Sequence, residues 1–244
     1  MIEKKNIYVN SAPVFKKAVV AAAFSPRLTA VLNEAHRILK LLGAWPIIVH
    51  VGDEAPATRI RLEEAIDRSN FSDHPPICIV EHGNPTDVLL NVARSYDADL
   101  IVAGALAKEG LFKYYLGSIA RSLARQAPCS VLLFTEPQVK PHPLHNIHCA
   151  VEYREGSQKA VQVAAALAYY AESRHLYFTH TFTAEEMEEK RSAQNRTDLI
   201  RQFYQKEDEK LHHFIKGVGV YDVQYEARCL YDQSRSTTLN FTHE

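Results

Sequence analysis

The sequence predicts an α/β fold, a doubly wound parallel five-stranded sheet, followed by a truncated second copy of the same arrangement. Three observations predict it. Short apolar runs alternate with amphipathic stretches through the first half. Those runs are apolar throughout rather than at every second residue, which marks strands buried on both faces. The pattern then restarts after a Pro-rich segment, and an internal repeat of domain size is a strong organising signal.

Each element has its own signal. Residues 16–24, KKAVVAAAF, read as a buried strand. Over 27–42 the period becomes helical, with Leu28, Val31, Leu32, Ala35, Ile38, Leu39 and Leu42 on one face and Gly43 suited to the helix end. PIIVHV at 46–51 is a second strand, a charged helix is expected around 55–69, and ICIV at 77–80 is a third strand. Asn84-Pro85 opens a helix running to about Tyr96, with Pro in its first turn. DLIVAG at 99–104, a helix from Ser118 to about Gln126 and CSVLLF at 129–134 complete the first domain, residues 1–136. Right-handed crossovers favour helices on both faces, and periodicity leaves strand orders 2-1-3-4-5 and 3-2-1-4-5 both open.

Residues 137–145 read as a Pro-rich linker, and 146–244 as a partial second domain. There NIHCAVEY resembles the first strand, at an offset of 129 (Glu152 against Ala23), and HLYFTHTF the second, at an offset of 130 (His180 against His50). The helix between them is expected to turn Ala160, Val163, Ala164, Leu167 and Ala171 inward. Residues 184–216 are charged and helix-prone, with Leu199, Ile200, Phe203, Tyr204, Leu211, Phe214 and Ile215 as candidates to face a sheet. Residues 220–231 look like a third strand, and no fourth or fifth strand follows, which would leave the first strand of this copy with an unpaired edge.

Composition narrows the function. The chain is 46% hydrophobic and 23% charged, with a formal net charge of −1. It lacks the basic excess of a dedicated nucleic-acid binder. No apolar stretch approaches membrane-span length, and MIEKKNIYVNS has no signal-peptide core. The four cysteines include no CxxC pair, and Cys78, Cys129 and Cys149 lie in or beside apolar runs, so small buried thiols there, a reduced interior and a cytoplasmic location are expected.

The chemistry lies in GALAKEGLFKYYLGSIARS, residues 104–122, which leaves the fourth strand and opens a helix. Ligands of open α/β sheets bind beyond the carboxyl ends of the strands. Gly117-Ser118 at a helix start offers backbone N–H groups, a small hydroxyl and the positive end of a helix dipole, which suits a phosphate. Gly104 and Gly117 admit close backbone approach, with Lys108, Lys113 and Arg121 nearby as charge partners. GxxxxGK[ST] is absent, which excludes a P-loop.

This segment resembles the universal stress protein family, whose nucleotide-binding members carry G-x2-G-x9-G-[ST] after the fourth strand. Here Gly104, Ala107 and Gly117-Ser118 keep that spacing, with one glycine replaced by alanine. Phe24-Ser25 after the first strand, His50-Val51 ending the second, GNPTDVLL at 83–90 and APCSVLLF at 127–134 also resemble the family. The resemblance covers residues 14–136, and 145–231 more loosely. It implies an adenine nucleotide α-hydrolase-like fold of strand order 3-2-1-4-5 and pairing through fifth strands. It also implies ATP or AMP, with magnesium, at Gly104, Ala107, Gly117, Ser118 and Ile119, with Val51 near the adenine. At the first-strand position where the family usually has Asp stands Ala23, and the second copy has Glu152 there but no glycine loop.

Weaker signals have plainer readings. His142, His145 and His148 recur every third residue, as metal ligands can, but lie in the linker and the strand it enters. Asp97 and Asp99 flank a strand start, where turn chemistry accounts for them. Tyr114-Tyr115 is read as loop packing over a cover for a nucleotide. No Ser-His-Asp or Cys-His arrangement is legible, so at most slow ATP hydrolysis is expected. The expected function is a regulatory, adenine-nucleotide-binding stress-response protein, forming a homodimer or pairing its two domains. The alternative is a dimerisation or interaction module with a degenerate loop.

Overall fold

The apolar runs of the first half form β1 (Lys17–Ala21), β2 (Trp45–Val51), β3 (Ile77–Glu81), β4 (Leu100–Gly104) and β5 (Ser130–Phe134). They pair in parallel in the order β3-β2-β1-β4-β5. Val19 on the central strand lies opposite both Ile47 and Ile101, and all three are fully buried. Between the strands run α1 (Leu28–Leu42), α2 (Pro56–Asp67), α3 (Pro85–Ser95) and α4 (Ser118–Gln126). A computed structural model describes residues 13–105, 117–154, 156–183, 196–220 and 223–232, and divides the chain at His142/Pro143 into two units, each with a core of its own. That division falls inside the Pro-rich segment.

Local chemistry fixes the ends. Gly43 ends α1 at φ 73°, a left-handed value that glycine adopts without a Cβ penalty, and its N–H reaches the Leu39 carbonyl. Asn84 caps α3, its Oδ1 accepting from the N–H groups of Thr86 at 3.0 Å and Asp87 at 3.4 Å, with Pro85 in the first turn. Asp99 ties β4 to the start of β1, its carboxylate accepting from the N–H groups of Lys16 and Lys17 at 2.9–3.1 Å. Helix α3 then covers one sheet face, where Val88, Leu89 and Val92 pack with Val19, Ile47, Val49 and Ile101.

A short 3-10 turn at Phe71–Asp73, not anticipated from the sequence, staples α1 to the start of β3. Asp73 accepts from Lys40 Nζ and pairs with His36 Nε2 at 2.8 Å, while Phe71 lies edge-on to the His36 ring. The Lys40 ammonium first, and then His36, hold the half-exposed Asp73 carboxyl down to about 2. A carboxyl with a depressed native pKa contributes stability above its unfolded pKa and loses it as pH falls through the native value. Asp73→Asn is therefore expected to flatten the acid limb of the stability curve between about pH 4 and 2. Urea midpoints at stepped pH would show it, and an unchanged limb would exclude this staple as its source.

The second unit comprises β6 (Asn146–Ala150), α5 (Ser157–Tyr170), β7 (His175–Thr183), α6 (Arg196–Val218) and β8 (Glu226–Asp232). Its three strands pair in parallel in the order β6-β7-β8, and among the described residues β6 pairs only with β7. Phe178, Leu211 and Ile215 are fully buried at its centre. Burial pushes the Cys149 thiol up to about 11 and the Cys229 thiol up to about 12, so both are poor nucleophiles. Two expectations need correction. Helix α5 buries Val161, Ala164, Ala165 and Ala168, whereas Ala160 is exposed and Val163, Leu167 and Ala171 are half-buried, because runs of alanine give little contrast between neighbouring positions of the face. The third strand begins at Glu226 rather than 220.

The two units share strand-end geometry. Lys17 lies opposite Trp45 as Asn146 lies opposite His175. His50 Nδ1 reaches the Ala22 carbonyl at 2.7 Å, and His180 Nδ1 reaches the Val151 carbonyl at 2.7 Å. Each imidazole packs on an aromatic ring two residues beyond that carbonyl, Phe24 or Tyr153, with a cation over the ring, Arg61 at 4.2 Å or Lys210 at 4.1 Å.

Candidate functional site

Parallel strands all end on one edge of the first sheet, and the crossover loops diverge there. Strands β1 and β4 are neighbours whose following helices, α1 and α4, cover opposite faces, so a crevice opens between them. A cavity of about 420 Å³ occupies it. Its floor is Ala21–Ala23 from the end of β1, Val49 and Val51 from β2, and Ala103–Ala105 from β4. Leu28 and Val31 of α1 and Leu89 of α3 form apolar walls, and Gly117, Ser118, Ile119 and Ala120 close one side.

The β1 end is held by the His50 bond to the Ala22 carbonyl. Gly52 makes room for it, since a Cβ there would lie 2.6 Å from His50 Nε2. Gly104 has a similar reason, because a Cβ would meet Val31 Cγ2 at 3.0 Å. Gly117 precedes α4 at φ −58° and ψ 160°, an extended conformation open to any residue. The first intrahelical bond runs from the Arg121 N–H to the Gly117 carbonyl at 3.1 Å. The amides of Ser118, Ile119 and Ala120 therefore have no acceptor within the helix, and all three residues line the cavity. Gly117, at the N-cap, has no side chain to cap them. Arg27 at the head of α1 also lines the cavity, which has no acid and no histidine among its described lining residues.

Apart from Pro137, the lining of this crevice, on a sheet of order 3-2-1-4-5, falls within residues 15–135, which match the model described as the universal stress protein family. The first unit belongs to the universal stress protein family. A putative universal stress protein from Pseudomonas aeruginosa UCBPP-PA14 is 14% identical, with a TM-score of 0.63 over 90% of this chain and 76% of that one. A universal stress protein from Archaeoglobus fulgidus DSM 4304 is 12% identical, with a TM-score of 0.55 over 90% of this chain and 78% of that one. Both likenesses show the fold. A universal stress protein solved in complex with cAMP is 26% identical over 49% of this chain and 95% of its own, with a TM-score of 0.42. No curated protein sequence matches the chain.

Of the residues singled out from sequence, this universal stress protein domain gathers Ala23, Val51, Gly104, Gly117, Ser118 and Ile119 around one cavity. Ala107 lies outside the described residues, as do Lys108, Lys113, Tyr114 and Tyr115. Sequence reasoning missed Arg27, Leu28, Val31, Leu89 and Pro137. Leu28 and Val31 fit the core-facing stripe of α1, and nothing in the pattern distinguishes a core position from a cavity wall. Glu152, which aligns with Ala23, is exposed and lies 3.5 Å from Arg154 Nε. His148 Nε2 contacts Thr179 Oγ1 at 2.8 Å, and no group of three metal-binding side chains occurs among the described residues. Nor is any described helix long and apolar enough to cross a membrane.

Proposed function

We propose that the first unit is a regulatory adenine-nucleotide site, taking ATP or AMP, with magnesium where a polyphosphate is bound. The observation that carries this reading is a cavity with apolar walls and an uncapped helix N-terminus on one side. A volume of about 420 Å³ is in the range of small-molecule sites. Apolar walls suit a base, while three backbone amides, a dipole and the guanidinium of Arg27 suit phosphate oxygens. Binding rather than catalysis is the reading favoured here, since no acid or histidine occurs among the described lining residues. We read the second unit as a partial copy with a supporting role, on the strength of its matching strand register and histidine clasp, and place the protein in the cytoplasm. Calorimetric titration with AMP and with magnesium-ATP tests the reading. Saturable binding of either is expected, and silence with both would exclude it.

A second reading has its own observation. All five residues of edge strand β5 are half-buried, including Val131, Leu132, Leu133 and Phe134. An apolar edge of this kind is normally covered, which supports pairing through β5, in a homodimer or between domains, as a function in itself.

A further inference from the structure

The chain does not leave the first unit directly after β5. The Thr135 carbonyl accepts from Arg27 Nη1 at 3.4 Å, and the Val139 carbonyl accepts from Asn33 Nδ2 at 2.7 Å. Between these two anchors Pro137 lines the cavity. Both anchors belong to α1 or its first flanking residue, and Leu28 and Val31 of that helix line the same cavity. Pro137 lies beyond residues 15–135, so this part of the cavity is outside the segment that the family model matches. Asn33 is 7% exposed, and its Oδ1 is buried without a partner. A buried amide left half-satisfied is a cost, and the Val139 bond is what its other half gains.

We propose that residues 135–139 are a strap forming one wall of the ligand site, so that occupancy of the cavity and order of the strap are coupled. The proposal rests on the nucleotide reading given above. A ligand touching Pro137 favours the strap in place. By linkage, whatever factor the ligand contributes to holding the strap, the held strap contributes to ligand affinity. Arg27 serves both sides, since it donates to the strap and also lines the cavity. Because the strap is the start of the linker, the second unit is attached to the segment whose order reports occupancy.

Hydrogen exchange in the full chain, with AMP as the probe, tests this. AMP is expected to slow exchange at Gln138, Val139 and Lys140 by at least about 5-fold. Asn33→Leu removes the Val139 bond together with the unpartnered oxygen, and should speed exchange there without ligand while weakening AMP by a similar factor. Pro137→Gly, in a half-exposed segment where folding is not at stake, should weaken AMP in the same direction. Saturable AMP binding with unchanged strap exchange, or both variants binding AMP like the wild type, would overturn the strap and leave the nucleotide site standing. A wild-type protein that binds no AMP or ATP would overturn both.

Discussion

Gly117→Asp is expected to stabilise the first unit while abolishing nucleotide binding. At φ −58° and ψ 160°, residue 117 imposes no need for glycine, and its place before α4 has no side-chain cap. An aspartate there would accept from the amides of Ile119 and Ala120 and face the positive end of the helix dipole. That combination is worth about 0.5–1 kcal/mol. The same amides and the same field are what an incoming phosphate needs, and a fixed carboxylate both occupies and repels. Like charges brought together cost several kcal/mol, so affinity should fall by more than about 100-fold. A thermal melt and an AMP titration on one preparation read both signs. Unchanged affinity would remove the α4 terminus from the site; a fall in melting temperature would mean that the cap does not form.

Phe178→Ala should unfold the second unit and spare the first. Phe178 sits on the central strand β7, is fully buried, and lies edge-on to Tyr225 with ring centroids 5.4 Å apart. Truncating a buried Phe costs about 3–5 kcal/mol. Domains as a rule hold about 5–15 kcal/mol, and a unit built on three strands has little reserve. Exchange protection should therefore collapse across β6, β7 and β8 and persist in β1 to β5, whose core is built from other residues. Loss of protection in both sheets together would show that the units fold as one.

Most of the first unit was legible because its strands are apolar on both faces and its turns carry their own chemistry, such as Asn84-Pro85 and Gly43. Strand order was not legible from period; the resemblance supplied it, and the observed order agrees. The α5 face failed because alanine gives no amphipathic contrast. The corresponding cationic partners, Arg61 and Lys210, lie 149 residues apart, while the strands before them are offset by 129 and 130. A constant offset therefore does not pair these two cations. The candidate cavity was legible where backbone chemistry marks it, at Gly104 and at Gly117-Ser118. It was not legible where the wall is made by core-patterned residues of α1, or by Pro137 in a segment whose composition signals only a linker.

Mass spectrometry of the supernatant from freshly purified, denatured protein reads whether the cavity carries a ligand. An adenine nucleotide is expected in near-stoichiometric amount, with little or none from Gly117→Asp. An empty wild-type protein that also shows no thermal shift with millimolar AMP or magnesium-ATP would contradict the nucleotide reading.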